Sequence, residues 1–160
     1  MYYTVTKDYL DHILLHWTED ARRIVSKMIQ KYVNPNEATM TQLIWYNNGP
    51  WKSTIVTNKP EQLTYPELHL GYIENTIEIK IPKAMLNELA SFNENLIIDL
   101  IKNEIRSRSD SEALNILNFN LVYEIITKQK SVNEAKNFYQ KLFKDYKEGL
   151  DTIYTQKLFF

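Results

Sequence analysis

The spacing of the hydrophobic residues changes twice along this chain, and that double change restricts the fold more than any single motif does. Up to about residue 33 the spacing is helical: Leu10, Ile13, Leu14 and Trp17, then Ala21, Ile24, Val25, Met28, Ile29 and Tyr32. Thr6 and Thr18 stand where N-caps belong, and Val5 with Leu10 completes a hydrophobic staple. Asn34-Pro35-Asn36 closes this helical hairpin, whose Arg22, Arg23, Lys27 and Lys31 fall on the solvent side. From about residue 40 the period drops to two. Leu43 to Tyr46 and Ser53 to Thr57 flank the turn-rich Asn47-Asn48-Gly49-Pro50, which suits a hairpin loop. Ile73, Ile77, Ile79 and Ile81 alternate with Glu74, Thr76, Glu78 and Lys80, the pattern of a strand with one wet face. Between them, Asn58 to Gly71 carries Pro60 and Pro66 and reads as a surface loop of about a dozen residues.

A short helix is expected near Lys83 to Ala90, followed by strands over Leu96 to Ile101 and Glu104 to Arg108. If Lys102-Asn103 is a two-residue turn, Asp99 pairs with Arg106 and Ile97 with Arg108, and Leu96, Ile98, Leu100, Ile105 and Ser107 form the core face. The helical period then returns. Ser109-Asp110-Ser111-Glu112 reads as a capping box for a helix to about Thr127, and Ser131-Val132-Asn133-Glu134 as another for a helix to about Lys147, with Gly149 as its C′ residue. The order predicts an α+β fold: about five mostly antiparallel strands packed with an N-terminal helical hairpin and two C-terminal helices, all on one face of the sheet. A chain of 160 residues suits one domain spanning 1–160, with 150–160 as a tail.

Composition removes whole classes of chemistry. An average chain of this length has roughly 11 glycines, whereas this one has three, each isolated, so the glycine-rich phosphate cradles and the nucleophile elbow have no counterpart. With zero cysteines there are no disulfides, thiolate metal sites or thiol nucleophiles. A net charge of -1 without clustering argues against nucleic acid and anionic membranes as partners. Met1 to Trp17 lacks the features of a signal peptide and no apolar run approaches the roughly 18 residues of a membrane span, so a cytoplasmic location is expected.

Four groups of side chains carry possible chemistry. Asp8, His12 and His16 share one face of a helix, as an exposed polar surface or a weak metal site; the first is favoured, and no metal or cofactor is assigned. Trp45, Tyr46 and Trp51 bracket Asn47 and Asn48, either as a stacking platform with amide donors or as anchors of the hairpin in the core. Arg106 and Arg108, with Asp99 and Glu104, lie beside a helix start and form either an anion site or a salt-bridged sheet surface. Asn118 lies on an otherwise apolar helix face, so it requires a specific hydrogen-bond partner or belongs to a pocket wall. His69 has no local partner in the sequence, and no catalytic residue is assigned.

Leu43 to Lys52, together with Glu104 to Asp110, resembles a set of small uncharacterised bacterial proteins over most of the chain up to about Tyr139. The resemblance implies an intracellular bacterial protein and carries over no activity, cofactor or functional residue. The residues themselves favour a non-enzymatic binding or interaction module for a protein partner or small ligand. The 20 aromatics and the apolar Leu158-Phe159-Phe160 support it, since that end must dock on its own domain or meet a second copy in a homodimer. The alternative is an enzyme or sensor of a small anion, with Arg106, Asn118, His69 and a tryptophan converging on one pocket.

Overall fold

The computed structural model describes residues 3–160. Two helices lead, α1 (Lys7–Leu14) and α2 (Glu19–Tyr32). Thr6 and Thr18 cap them by accepting hydrogen bonds from the backbone N–H groups of Tyr9 and Ala21. Strands β1 (Glu37–Ala38), β2 (Gln42–Tyr46), β3 (Ser53–Leu63) and β4 (His69–Glu78) follow. A 3₁₀ turn (Lys83–Met85) and α3 (Leu86–Phe92) precede β5 (Leu96–Asp99) and β6 (Glu104–Ser109). The long helices α4 (Glu112–Ile126) and α5 (Val132–Lys147) and a second 3₁₀ turn (Ile153–Thr155) complete the order. The strands form one sheet in the order β1-β2-β3-β4-β6-β5, with every neighbouring pair antiparallel. The fold is thus α+β, as the spacing predicts, with six strands rather than five; the extra one is the two-residue β1, too short to leave a periodic signal.

Three local expectations are corrected. The stretch 58–71 is not a loop: β3 continues through Pro60 to Leu63 and β4 begins at His69. Proline is tolerated because β2 begins only at Gln42, opposite Thr57, and the pairing with β4 skips from Val56 to Glu61, so Pro60 lies outside both ladders. The β5–β6 connection has four residues, not two, and pairs Asp99 with Glu104 and Ile97 with Arg106. Asp99 closes this turn by accepting from the N–H groups of Ile101 and Lys102, and Asn103 takes a left-handed φ of 53°. The slip is two residues, so each side chain keeps its face. Finally, Ser111 rather than Ser109 caps α4, accepting from Leu114 N–H at 3.2 Å. The Ser131/Glu134 box and Gly149, at φ +87°, stand where expected.

Strand register sorts the sheet into two faces. Leu43, Val56 and Ile73 lie side by side on one face, and Ile77, Ile105 and Ile98 form another row on it. These rows carry two separate cores. Leu43, Trp45, Val56 and Ile73 pack with Leu10, Ile13, Trp17, Val25 and Met28 from the N-terminal helices. Ile77 and Ile105 pack with α3, α4 and α5 around Leu117, Phe119, Tyr139 and Phe143. The opposite face carries Ile44, Ile55, Glu74 and Arg108 in one row and Tyr46, Ser53, Thr76 and Arg106 in the next.

Candidate functional site

Between the two rows of apolar residues on the covered face runs a third, Trp45, Thr54, Asn75 and Ser107. Its polar members continue into α4 and α3 as an unbroken chain of hydrogen bonds. Asn93 Nδ2 donates to Asn118 Oδ1 (2.8 Å), Asn118 Nδ2 to Ser107 Oγ (2.9 Å), and Ser107 Oγ to Asn115 Oδ1 (2.9 Å). Asn115 Nδ2 donates to Asn75 Oδ1 (2.7 Å), and Thr54 Oγ1 accepts from both Asn75 and Asn48 (2.9 Å each). All seven residues are buried. An unpaired amide here costs about 1–3 kcal/mol, so each link holds its neighbours in one register. Asn118 therefore has the specific partner that its place on an apolar face demands. The Tyr139 hydroxyl lies buried near this chain without a hydrogen bond, and burial pushes its pKa up.

The residues proposed as a converging pocket are dispersed. Trp45 and Trp51 are core residues, 1% and 2% exposed, so there is no stacking platform; Trp45 donates to Val33 O and Trp51 packs on Phe119. Asn48 belongs to the buried chain, while Asn47 is exposed in the hairpin loop at a φ of 49°. Arg108 is held by Glu74 and Glu61, both at 2.7 Å, which satisfies the salt-bridged alternative and leaves no free fork for an anion. Arg106 lies on the same open face, two residues along β6 from it, and faces away from the start of α4 because that helix packs on the covered side. His69 is buried against Phe143; its Nδ1 donates to Glu67 O at 2.9 Å and its Nε2 has no partner. Helix α1 ends at Leu14, before His16, and no group of three or more metal-ligating side chains is found among the described residues. Leu158 packs on the core beside α4, and Phe159 N–H donates to Asn120, so the apolar end docks on its own chain.

The structure brings together a different set. Where the two cores meet over β4, they leave a groove of about 240 Å³ between α2 and the start of α4. Ile24 and Met28 of α2, Ile73 of β4, and Ala113 and Ile116 of α4 give it an apolar floor; Thr155 and Gln156 form its far wall. Lys27, Lys31, Asp110 and Glu112 stand on the rim. Lys31 pairs with Glu112 at 2.6 Å, and Tyr32 donates to the same carboxylate at 2.8 Å. Burial works against the charge of Lys31, but the hydrogen bond and charge of Glu112 outweigh it and raise its pKa; burial and then Glu112 raise that of Tyr32. Asp110 is paired with Lys147. The Lys27 side chain makes no hydrogen bond or ion pair among the described residues. A shallower extension of the groove runs toward His69, Leu68 and Leu70.

Sequence spacing missed this groove for a physical reason. Ile24 and Met28 carry the same periodic signal as Val25, and only the gap between two helical units tells a floor from a core. The cations at the start of α4 come from α2 and α5, as Lys31 on Glu112 and Lys147 on Asp110, and not from Arg106 and Arg108. No helix among the described residues is long and apolar enough to cross a membrane. No family model, curated protein or solved structure matches the chain significantly, so the reading of this groove rests on its own geometry.

Proposed function

We propose that this protein is a binding module that takes a small molecule with an apolar body and one anionic group into the groove between α2 and α4. The observation that carries the reading is the apolar floor at the junction of two cores, a place where small-ligand sites concentrate. A volume of about 240 Å³ lies below the roughly 300–1,000 Å³ of drug-sized sites and favours a ligand of modest size. Charge selects its head group: Lys31, Glu112 and Asp110 are committed to partners, which leaves the Lys27 ammonium for a carboxylate or phosphate.

Octanoate, below its micellar concentration, is a direct probe. It raises the thermal midpoint of the full chain, by the equivalent of about 2.7 kcal/mol at a hundred times Kd, whereas octylamine does not. Ala113→Trp fills the floor and abolishes the shift; Lys27→Glu weakens binding about fivefold, the worth of an exposed ion pair. A midpoint that octanoate leaves unchanged, or an equal response to octylamine, overturns the assignment.

A further inference from the structure

One wall of the groove belongs to a segment that side chains, not a strand ladder, hold to the rest of the molecule. Thr155 and Gln156 line the groove, and a short cap of their own, Thr155 Oγ1 donating to Thr152 O at 2.9 Å, shapes the 3₁₀ turn that presents them. Among the described residues, no main-chain to main-chain hydrogen bond joins 151–160 to the rest of the chain; those it makes, Thr155 to Thr152 and Gln156 to Ile153, are internal.

Its polar attachment runs instead through three side chains, Asn120 and Glu124 of α4 and Lys130 beyond it, which donates to the Tyr154 hydroxyl at 3.3 Å. Asn120 alone serves three strap groups: its Nδ2 donates to Tyr154 O (3.1 Å) and Lys157 O (2.8 Å), and its Oδ1 accepts from Phe159 N–H (2.8 Å). One turn further on, Glu124 accepts from the Tyr154 hydroxyl at 3.1 Å and pairs with Lys130 at 3.2 Å. Ring contacts of Tyr154 with Phe138 and of Phe160 with Tyr123, each 5.0 Å between centroids, and the packing of Leu158 and Tyr154 on the larger core complete the grip. Of the ten residues only Thr155 is buried. The preceding Glu148-Gly149-Leu150 closes α5, with Gly149 at φ +87° and Leu150 N–H donating to Asp145 O at 2.8 Å, and the strap leaves the helix there.

We propose that segment 151–160 is a strap that gates the groove, releasing from α4 as a unit to admit ligand and re-docking to close the wall formed by Thr155 and Gln156. The proposal rests on the groove being the ligand site. Release breaks a few side-chain anchors and no ladder, so it occurs as a local opening well below the free energy of global unfolding. Reclosure over a bound molecule slows its escape, as lids do elsewhere.

Amide hydrogen exchange and stopped-flow binding of octanoate to the full chain test it. Strap amides Phe159 and Thr155 exchange at least about tenfold faster than the amides of mid-α4, and saturating octanoate slows them. In Tyr154→Ala and Phe159→Ala, which change strap side chains, the association and dissociation rate constants both rise by about tenfold, while the chain without ligand still unfolds in one transition with a midpoint lower by only about 2–4 °C. Asn120→Ala gives the same kinetic change in a variant that also stresses α4. Strap amides that exchange only with global unfolding, or rates that the strap variants leave unchanged while octanoate still binds, overturn the gate alone. Failure of octanoate to bind the unaltered chain overturns the groove assignment and the gate with it.

Discussion

Asn115 shows how much one side chain settles in this molecule. Fully buried on α4, it donates to Asn75 and to Ile73 O and accepts from Ser107, tying the helix to the neighbouring strands β4 and β6. Asn115→Ala leaves the Asn75 Oδ1 acceptor and the Ser107 hydroxyl donor unpaired in a site closed to water, at roughly 1–3 kcal/mol each. Denaturant unfolding is expected to show a loss of about 3 kcal/mol, beyond the loss from an exposed asparagine such as Asn133. The need for such a partner is readable in the sequence at Asn118, because an amide on an apolar helix face has no other way to be satisfied. The identity of the partners, Ser107 and Asn93, is not readable, since strand pairing and the docking of α3 bring them there.

At the level of elements, caps and periods translate directly. Thr6, Thr18 and Ser131 cap where expected because capping joins residues three apart, and the β5–β6 hairpin keeps its faces despite a two-residue slip because side-chain alternation has period two. The strap has no such local signature, and one of its anchors, the Tyr154 hydroxyl on Glu124, is an electrostatic contact. Burial and then the Glu124 carboxylate raise the pKa of the Tyr154 phenol above its ordinary value of 10.0. A raised pKa means that the docked strap favours the protonated phenol. That contribution is complete below the ordinary phenol value and is lost as the pH rises through the value in the docked state. Wild type is expected to lose its stability margin over Tyr154→Phe as the pH rises above about 10, measured as the difference in urea midpoint between the two proteins. A margin that stays constant or grows removes the latch.

On the scale of the whole molecule, two cores share one sheet, and β4 belongs to both: Ile73 packs with the N-terminal helices and Ile77 with α3 to α5. The molecule is therefore expected to unfold in one cooperative transition despite its divided interior. Leu10→Ala, in the smaller core, lowers stability by about 3 kcal/mol and shifts the far-ultraviolet circular dichroism and tryptophan fluorescence transitions together; separated transitions show that the cores melt independently. Local spacing and composition suffice for the helical ends, the strand-rich middle, the capped starts and the absence of a glycine-built phosphate cradle. Tertiary structure alone decided that the tryptophans are core, that Arg106 and the α4 start lie on opposite sides of the sheet, and that Lys27 and Gln156 face one groove. The physical reason is distance along the chain: hydrophobic period and capping act over a few residues, whereas a groove is the space left where units over a hundred residues apart meet.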